Sequence, residues 1–298
     1  MRRRVTAASI LLSLALGACG SDELPMWPRG LSGERPFLRD PMWDDGNAEI
    51  ASYDAREARY GILRDGEAIL ISVKEDLDAL TLVKADGPRH GELVTAVKLN
   101  TVLSVPAGVY TYRQMASSWL LRETARPIKL AVGSQEWCGL THKTMTIRGP
   151  EALMRESSYF GAEGERVFVV AVGPETVLFD TLPLWLRTLD LEETGVRTVQ
   201  LVESEISNRA LPPVARAADV EVQTPRPIDV AAGSFDTVPV EVRREGATDV
   251  FFLQREAPHT LVRWDRADGG RWSLHWVRRA AYWDMNAPED VGALERTP

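Results

Sequence analysis

The sequence predicts a mainly β protein of curved antiparallel sheets, half-barrel or sandwich-like, with one or two short helices. Three observations predict it. β-Prone runs recur along the chain with turn residues about every 8–12 positions, the spacing of sandwiches and barrels rather than of βαβ sheets. Two Gly-bearing turns, Asp65-Gly66 and Asp268-Gly269-Gly270, stand between such runs. Helical periodicity is confined to two brief stretches.

The elements follow in chain order. Residues 19–42 read as a tether, because Pro25, Pro28, Pro36 and Pro41 alternate with Gly30, Gly33 and charged residues and no periodicity builds up. A first β-rich half is expected over 43–210. It opens with a strand at 49–59 and a hairpin at Asp65-Gly66. The following strand places Ile69, Ile71 and Val73 on one face and Ala68, Leu70 and Ser72 on the other. Further strands are expected near 92–99, 101–105, 128–132, 142–148, 166–172, 176–180 and 197–207. A helix is expected over Thr181–Arg187, where Leu182, Leu186 and Leu189 fall at helical spacing; Gln114–Glu123 is the second helical candidate.

Pro212, Pro213, Pro225 and Pro227 mark 211–227 as a connection, with a short strand expected inside it at 220–222. A second β-rich half over 228–298 then carries strands at 237–244, 249–254, 260–266 and 271–279; the two halves can equally be one continuous domain. In the last strand Trp272, Leu274 and Trp276 share one face and Ser273, His275 and Val277 the other. Val105–Thr111 and Val230–Thr237 share an Ala-Gly, aromatic, Thr pattern that hints at related halves.

The N-terminus carries the most specific signal. Arg2, Arg3 and Arg4 precede an apolar run from Val5 to Leu16. That run has the length of a secretory h-region and falls short of the ~20 residues that span a bilayer. Leu16-Gly17-Ala18-Cys19 follows and resembles the lipobox of bacterial lipoproteins. The resemblance implies cleavage between Ala18 and Cys19, a diacylglycerol thioether on Cys19, and a further fatty acyl chain (palmitate) on the new amino terminus. It therefore implies a membrane anchor. Stable anchoring needs more than one acyl chain. Gly20, rather than Asp, follows the cysteine, which by the same resemblance directs the protein to the outer membrane, facing the periplasm, in a two-membrane cell.

Loss of residues 1–18, with three arginines and no acids, takes the net charge from −8 to −11. An acidic domain lacks the Lys/Arg surplus that phosphate backbones require, so no nucleic-acid partner is expected. Cys19 and Cys138 are the two cysteines. A lipidated Cys19 leaves Cys138 as a free thiol and rules out an internal disulfide, so stability rests on the core.

Cys138 and His142 form the one local cluster of catalytic character, with Glu136 as a candidate orienting group. A free cysteine beside Trp137 is more often a small buried hydrophobe, so no catalytic residue is assigned. His90, His142, His259 and His275 show no metal-ligand spacing, and no phosphate-loop, dinucleotide or nucleophile-elbow motif occurs, so neither metal nor cofactor is expected. Trp264, Trp272, Trp276 and Trp283 read as cross-strand core or as the lining of an apolar cleft.

The blocks Ala232–Thr237, Glu256–Arg263 and Ala281-Tyr282-Trp283 resemble the C-terminal part of uncharacterised secreted bacterial proteins with half-barrel sheets. That resemblance spans about 228–283 and brings no catalytic residue with it. The function expected is a lipid-anchored binding or scaffold protein of the cell envelope, for a hydrophobic ligand or an envelope protein. An envelope hydrolase using Cys138 and His142, or a purely structural surface lipoprotein, are the alternatives.

Overall fold

The computed structural model describes residues 36–87 and 92–296. The lipobox residues Ala18 and Cys19, and His90, lie outside them. The strands are β1 (Ala48–Arg59), β2 (Ile62–Asp78), β3 (Leu93–Ala107), β4 (Tyr110–Leu121), β5 (Pro127–Glu136), β6 (Gly139–Arg148), β7 (Glu151–Ser158) and β8 (Gly164–Ala171). They continue with β9 (Thr176–Leu178), β10 (Gly195–Val202), β11 (Ala215–Val222), β12 (Arg226–Val230), β13 (Gly233–Arg244), β14 (Ala247–Gln254), β15 (Leu261–Asp265) and β16 (Arg271–Ala280).

All belong to one curved sheet in the order β8-β7-β6-β5-β4-β3-β2-β1-β16-β15-β14-β13-β11-β10-β9, with β12 added on β13. Neighbours are antiparallel except β9, which runs parallel to β10. The same sheet crosses both stretches expected as halves, because β1 pairs with β2 on one side and with β16 on the other. Alternation decides the faces: Leu99, Leu103 and Val105 of β3 and Met145 and Ile147 of β6 are buried inward.

β8 and β9 are consecutive in the chain yet lie at opposite ends of the strand order. The sheet therefore curls until its two edges approach. Side chains bridge the seam. Gln200 of β10 accepts from Gly173 N (3.3 Å) and Thr176 Oγ1 (2.5 Å), and donates to Ala171 O (3.2 Å). The 203–211 segment is held to β6, where Thr141 donates to Asn208 O at 2.7 Å and Lys143 to Glu205 O at 2.9 Å.

The concave interior is filled. β9 leads into a 3₁₀ turn (Phe179–Thr181), the short helix α2 (Leu182–Trp185) and a second 3₁₀ turn (Leu186–Thr188), all buried. The helix expected over Thr181–Arg187 is this plug, with Leu182 and Leu186 fully enclosed. It packs with Trp43, Tyr53, Phe251, Trp264 and Trp272 in the main core.

Four local expectations are corrected. Gln114–Glu123 is not helical; its first eight residues belong to β4, where Gln114, Ala116, Ser118 and Leu120 alternate inward. The β1–β2 turn is Tyr60-Gly61, whose φ values of 56° and 71° suit a tight hairpin, so Asp65-Gly66 lies within β2. Residues 211–227 are more than a connection: the strand expected at 220–222 is the end of the longer β11, in which Ala218, Val220 and Val222 alternate inward. The tether's last residues fold: 36–39 form helix α1 (Pro36–Arg39) and 41–44 a 3₁₀ turn, with Phe37, Leu38 and Trp43 buried.

Candidate functional site

Consecutive antiparallel hairpins put alternate turns at opposite ends of the sheet. The turns 60–61, 108–109, 137–138 and 159–163 lie at one end; the end of β2, the start of β3 and the 122–126 and 149–150 connections lie at the other. α1 joins the second end, since Arg122 donates to Leu38 O at 3.0 Å and pairs with Asp44 at 2.7 Å. The twelve residues of β4 separate the two ends by roughly 36 Å.

The first end carries aromatic side chains at turn after turn. Tyr60 is 70% exposed, Trp137 77% and Tyr159 77%, so these rings are surface features rather than core. The hydroxyl of Tyr60 lies 2.9 Å from that of Tyr110 and 2.5 Å from that of Tyr112. The Tyr110 ring lies 6.3 Å from Trp137, centroid to centroid. Tyr159 covers Gly139, where a Cβ would stand 2.7 Å from the ring. Burial, first, and the bond to Tyr60 hold the Tyr112 hydroxyl protonated well above the usual tyrosine range. The result is an aromatic rim crossing four hairpins.

Cys138 occupies the β5–β6 turn within this rim and is exposed. Glu136 accepts from Cys138 N at 2.5 Å. Its carboxylate also pushes the Cys138 thiol above its ordinary range, through a hydrogen bond and then through charge. Nucleophilic cysteines need the opposite shift. His142 stands opposite Gly133 on β6, exposed, and among the described residues no hydrogen bond joins it to Cys138. The candidate pair of nucleophile and base is thus not assembled, and Glu136 acts on the thiol rather than on the imidazole. His259 is a turn residue whose Nδ1 lies 3.2 Å from Gln254 O.

The tryptophans divide. Trp264 stacks on Phe251 at 4.8 Å and meets Trp272 edge-on at 4.9 Å. Their indoles donate to Asp249 (2.9 Å) and Glu57 (2.6 Å), so both are satisfied core residues. Trp276 is half-buried, and Trp283 is exposed.

Inside the sheet, Glu57, Asp180, Ser204, Arg266 and the two core indoles border a cavity of about 40 Å³. That volume holds about three waters, whereas small-molecule pockets run to about 300–1,000 Å³. Beside it, Lys143 pairs with Glu205 at 3.1 Å, both buried. Burial pushes Glu205 up to about 7 and raises Asp180 and Glu156 in the same direction. This polar interior escapes the sequence pattern, which assigns apolar residues to the inside. The rim did leave a sequence signal: Tyr60-Gly61, Gly108-Val109-Tyr110, Trp137-Cys138 and Tyr159-Phe160 all place aromatics at alternate hairpin turns.

No protein-family model matches the chain. No curated protein matches it either. Among solved structures, the chain is similar to the crystal structure of a β-barrel-like protein of domain of unknown function DUF1849 from Brucella abortus. The TM-score is 0.48 and the identity 11%, over 78% of this chain and 98% of that one.

Proposed function

We propose that this protein is a lipid-anchored binding or scaffold protein of the bacterial cell envelope that engages an envelope protein through its aromatic rim. The rim is the observation that carries the reading: Tyr60, Trp137 and Tyr159 are exposed, and the half-buried Tyr110 lies between them, at the end opposite α1. Tyrosine and tryptophan dominate the energetic centres of protein interfaces, because they bury large area at small entropic cost. The lipobox supports acylation of Cys19 and residence on a membrane, the outer membrane facing the periplasm in a two-membrane cell. A chain entering at α1 then leaves the rim pointing away from that membrane. The filled interior favours a protein partner over a carried acyl chain, since the 40 Å³ cavity has no room for one.

Cys138 is a built-in reporter of the rim. Its alkylation rate is expected to be several-fold slower in native envelopes than in purified protein, and the protection is expected to vanish in Trp137→Ala/Tyr110→Ala. Equal rates in both settings would remove the partner. In parallel, Cys19→Ser is expected to release the protein from the membrane fraction, and unchanged partition would remove the anchor.

A further inference from the structure

The end opposite the rim carries its own exposed apolar surface. Leu80 and Val83 in the β2–β3 connection, Leu93 at the start of β3, and Trp283 after β16 are all exposed. Trp283 and its neighbour Tyr282, whose rings are 5.3 Å apart, border a groove of about 460 Å³ with Trp43 and three lysines. Each lysine is already paired: Lys74 with Asp44 at 2.6 Å, Lys84 with Asp86 at 2.8 Å, and Lys98 with Glu75. The groove is therefore aromatic and close to neutral rather than basic.

The chain outside the structure decides what covers this surface. Trp43 and Asp44 of the groove follow α1 directly, so the chain from Cys19 enters at this end. Sixteen residues, 20–35, separate Cys19 from Pro36 and reach at most about 56 Å. Everything anchored at Cys19 is thereby kept near this end, and a surface held at such range needs only weak intrinsic affinity to stay in contact. Tryptophan and tyrosine favour the headgroup level of a bilayer, where a ring is half apolar and half wet.

We infer that the α1 end, through Leu80, Val83, Leu93 and Trp283, rests on the phospholipid headgroup layer of the membrane that holds the anchor. The inference rests on the anchored reading above and adds an orientation to it: the barrel stands on the bilayer with its rim outward. Contact comes from apolar and aromatic groups, so it does not depend on anionic lipid.

The test uses the chain from residue 19 onward carrying Cys19→Ser, so that no acyl chain contributes, and phosphatidylcholine vesicles. Co-sedimentation is expected, retained in 0.5 M salt. It is expected to fall at least fivefold in Trp283→Ser and, separately, in Leu80→Ser/Val83→Ser, with unchanged circular dichroism, and to persist in Trp137→Ser. The inference is overturned by absence of sedimentation, by binding confined to phosphatidylglycerol vesicles and lost in salt, or by loss in Trp137→Ser alone. Failure of the anchor itself is read separately, as an unacylated Cys19 in the intact mass of the wild-type protein.

Discussion

Arg187 of the interior plug clamps Glu49 of β1 through two hydrogen bonds, 2.6 and 2.9 Å, with both side chains buried. The same guanidinium donates twice to Pro258 O, at 2.9 and 2.8 Å, and lies 4.4 Å above the Phe37 ring. One cation thus joins the plug, the first strand, α1 and the β14–β15 turn. Removing one partner strands a buried charge, which costs about 3–5 kcal/mol, while replacing both by apolar groups is far milder. Arg187→Met is expected to lose stability in that range by urea denaturation, and Arg187→Met/Glu49→Met to recover much of it. Arg187→Lys is expected to rescue little, because an ammonium cannot make the paired contacts.

Gly66 tests how closely the strands approach. A Cβ there would lie 2.5 Å from the backbone oxygen of Ser104 and 3.2 Å from the Cα of Val105, and backbone cannot yield as a side chain can. Gly66→Ala is expected to cost about 1–3 kcal/mol through overpacking. Gly133→Ala, with nothing within 4 Å, is the neutral control in the same sheet. Equal midpoints for the two variants would contradict the close approach of β2 and β3 at Gly66.

These two sites mark what was legible in the sequence. Asp65-Gly66 carries a strong turn signal, yet its glycine serves a close approach of β2 to β3, and the turn falls to Tyr60-Gly61. Alternation was plain in β16, where Trp272 and Leu274 contrast with Ser273 and His275. It was hidden in β4, because Met115 and Trp119 put apolar groups on the outer face as well. It was hidden in β7, because the inward position 156 is a glutamate. The polar interior around Lys143, Glu156 and Glu205 inverts the usual rule that apolar residues face inward. Each rim aromatic was readable as a turn residue, but their convergence is a property of strand register, which no single hairpin encodes.

Glu205 makes an acid-leaning stability profile. Burial raises its carboxyl from an unfolded value of 4.5 to about 7 in the folded chain. Between those values the folded protein holds a proton that the unfolded chain releases, so stability falls as pH rises through this window, by on the order of 3 kcal/mol at most. Asp44 acts in the other direction: Arg122 and Lys74 hold it near 2, so the stability it adds is lost only as pH falls below about 4. Unfolding measured from pH 5 to 8 is expected to show declining stability. Glu205→Gln, which leaves Lys143 without its countercharge, is expected to be less stable throughout but to decline less steeply. An unchanged slope would contradict the assignment.

Glu136 is expected to restrain the Cys138 thiol. Its carboxylate accepts from the thiol and repels the thiolate, so the reactive form is scarce near neutrality despite full access to solvent. Glu136→Gln removes the charge while keeping the side chain's shape. Alkylation of Cys138 at pH 8 is expected to accelerate about 2–5-fold in this variant, with the rate profile displaced to lower pH. The His142→Ala variant is expected to react at the wild-type rate, because no hydrogen bond couples that ring to the thiol. A fall in rate on removing His142 would instead restore the nucleophile–base pair and with it the hydrolase reading; a wild-type rate leaves Cys138 as a surface thiol within a binding rim.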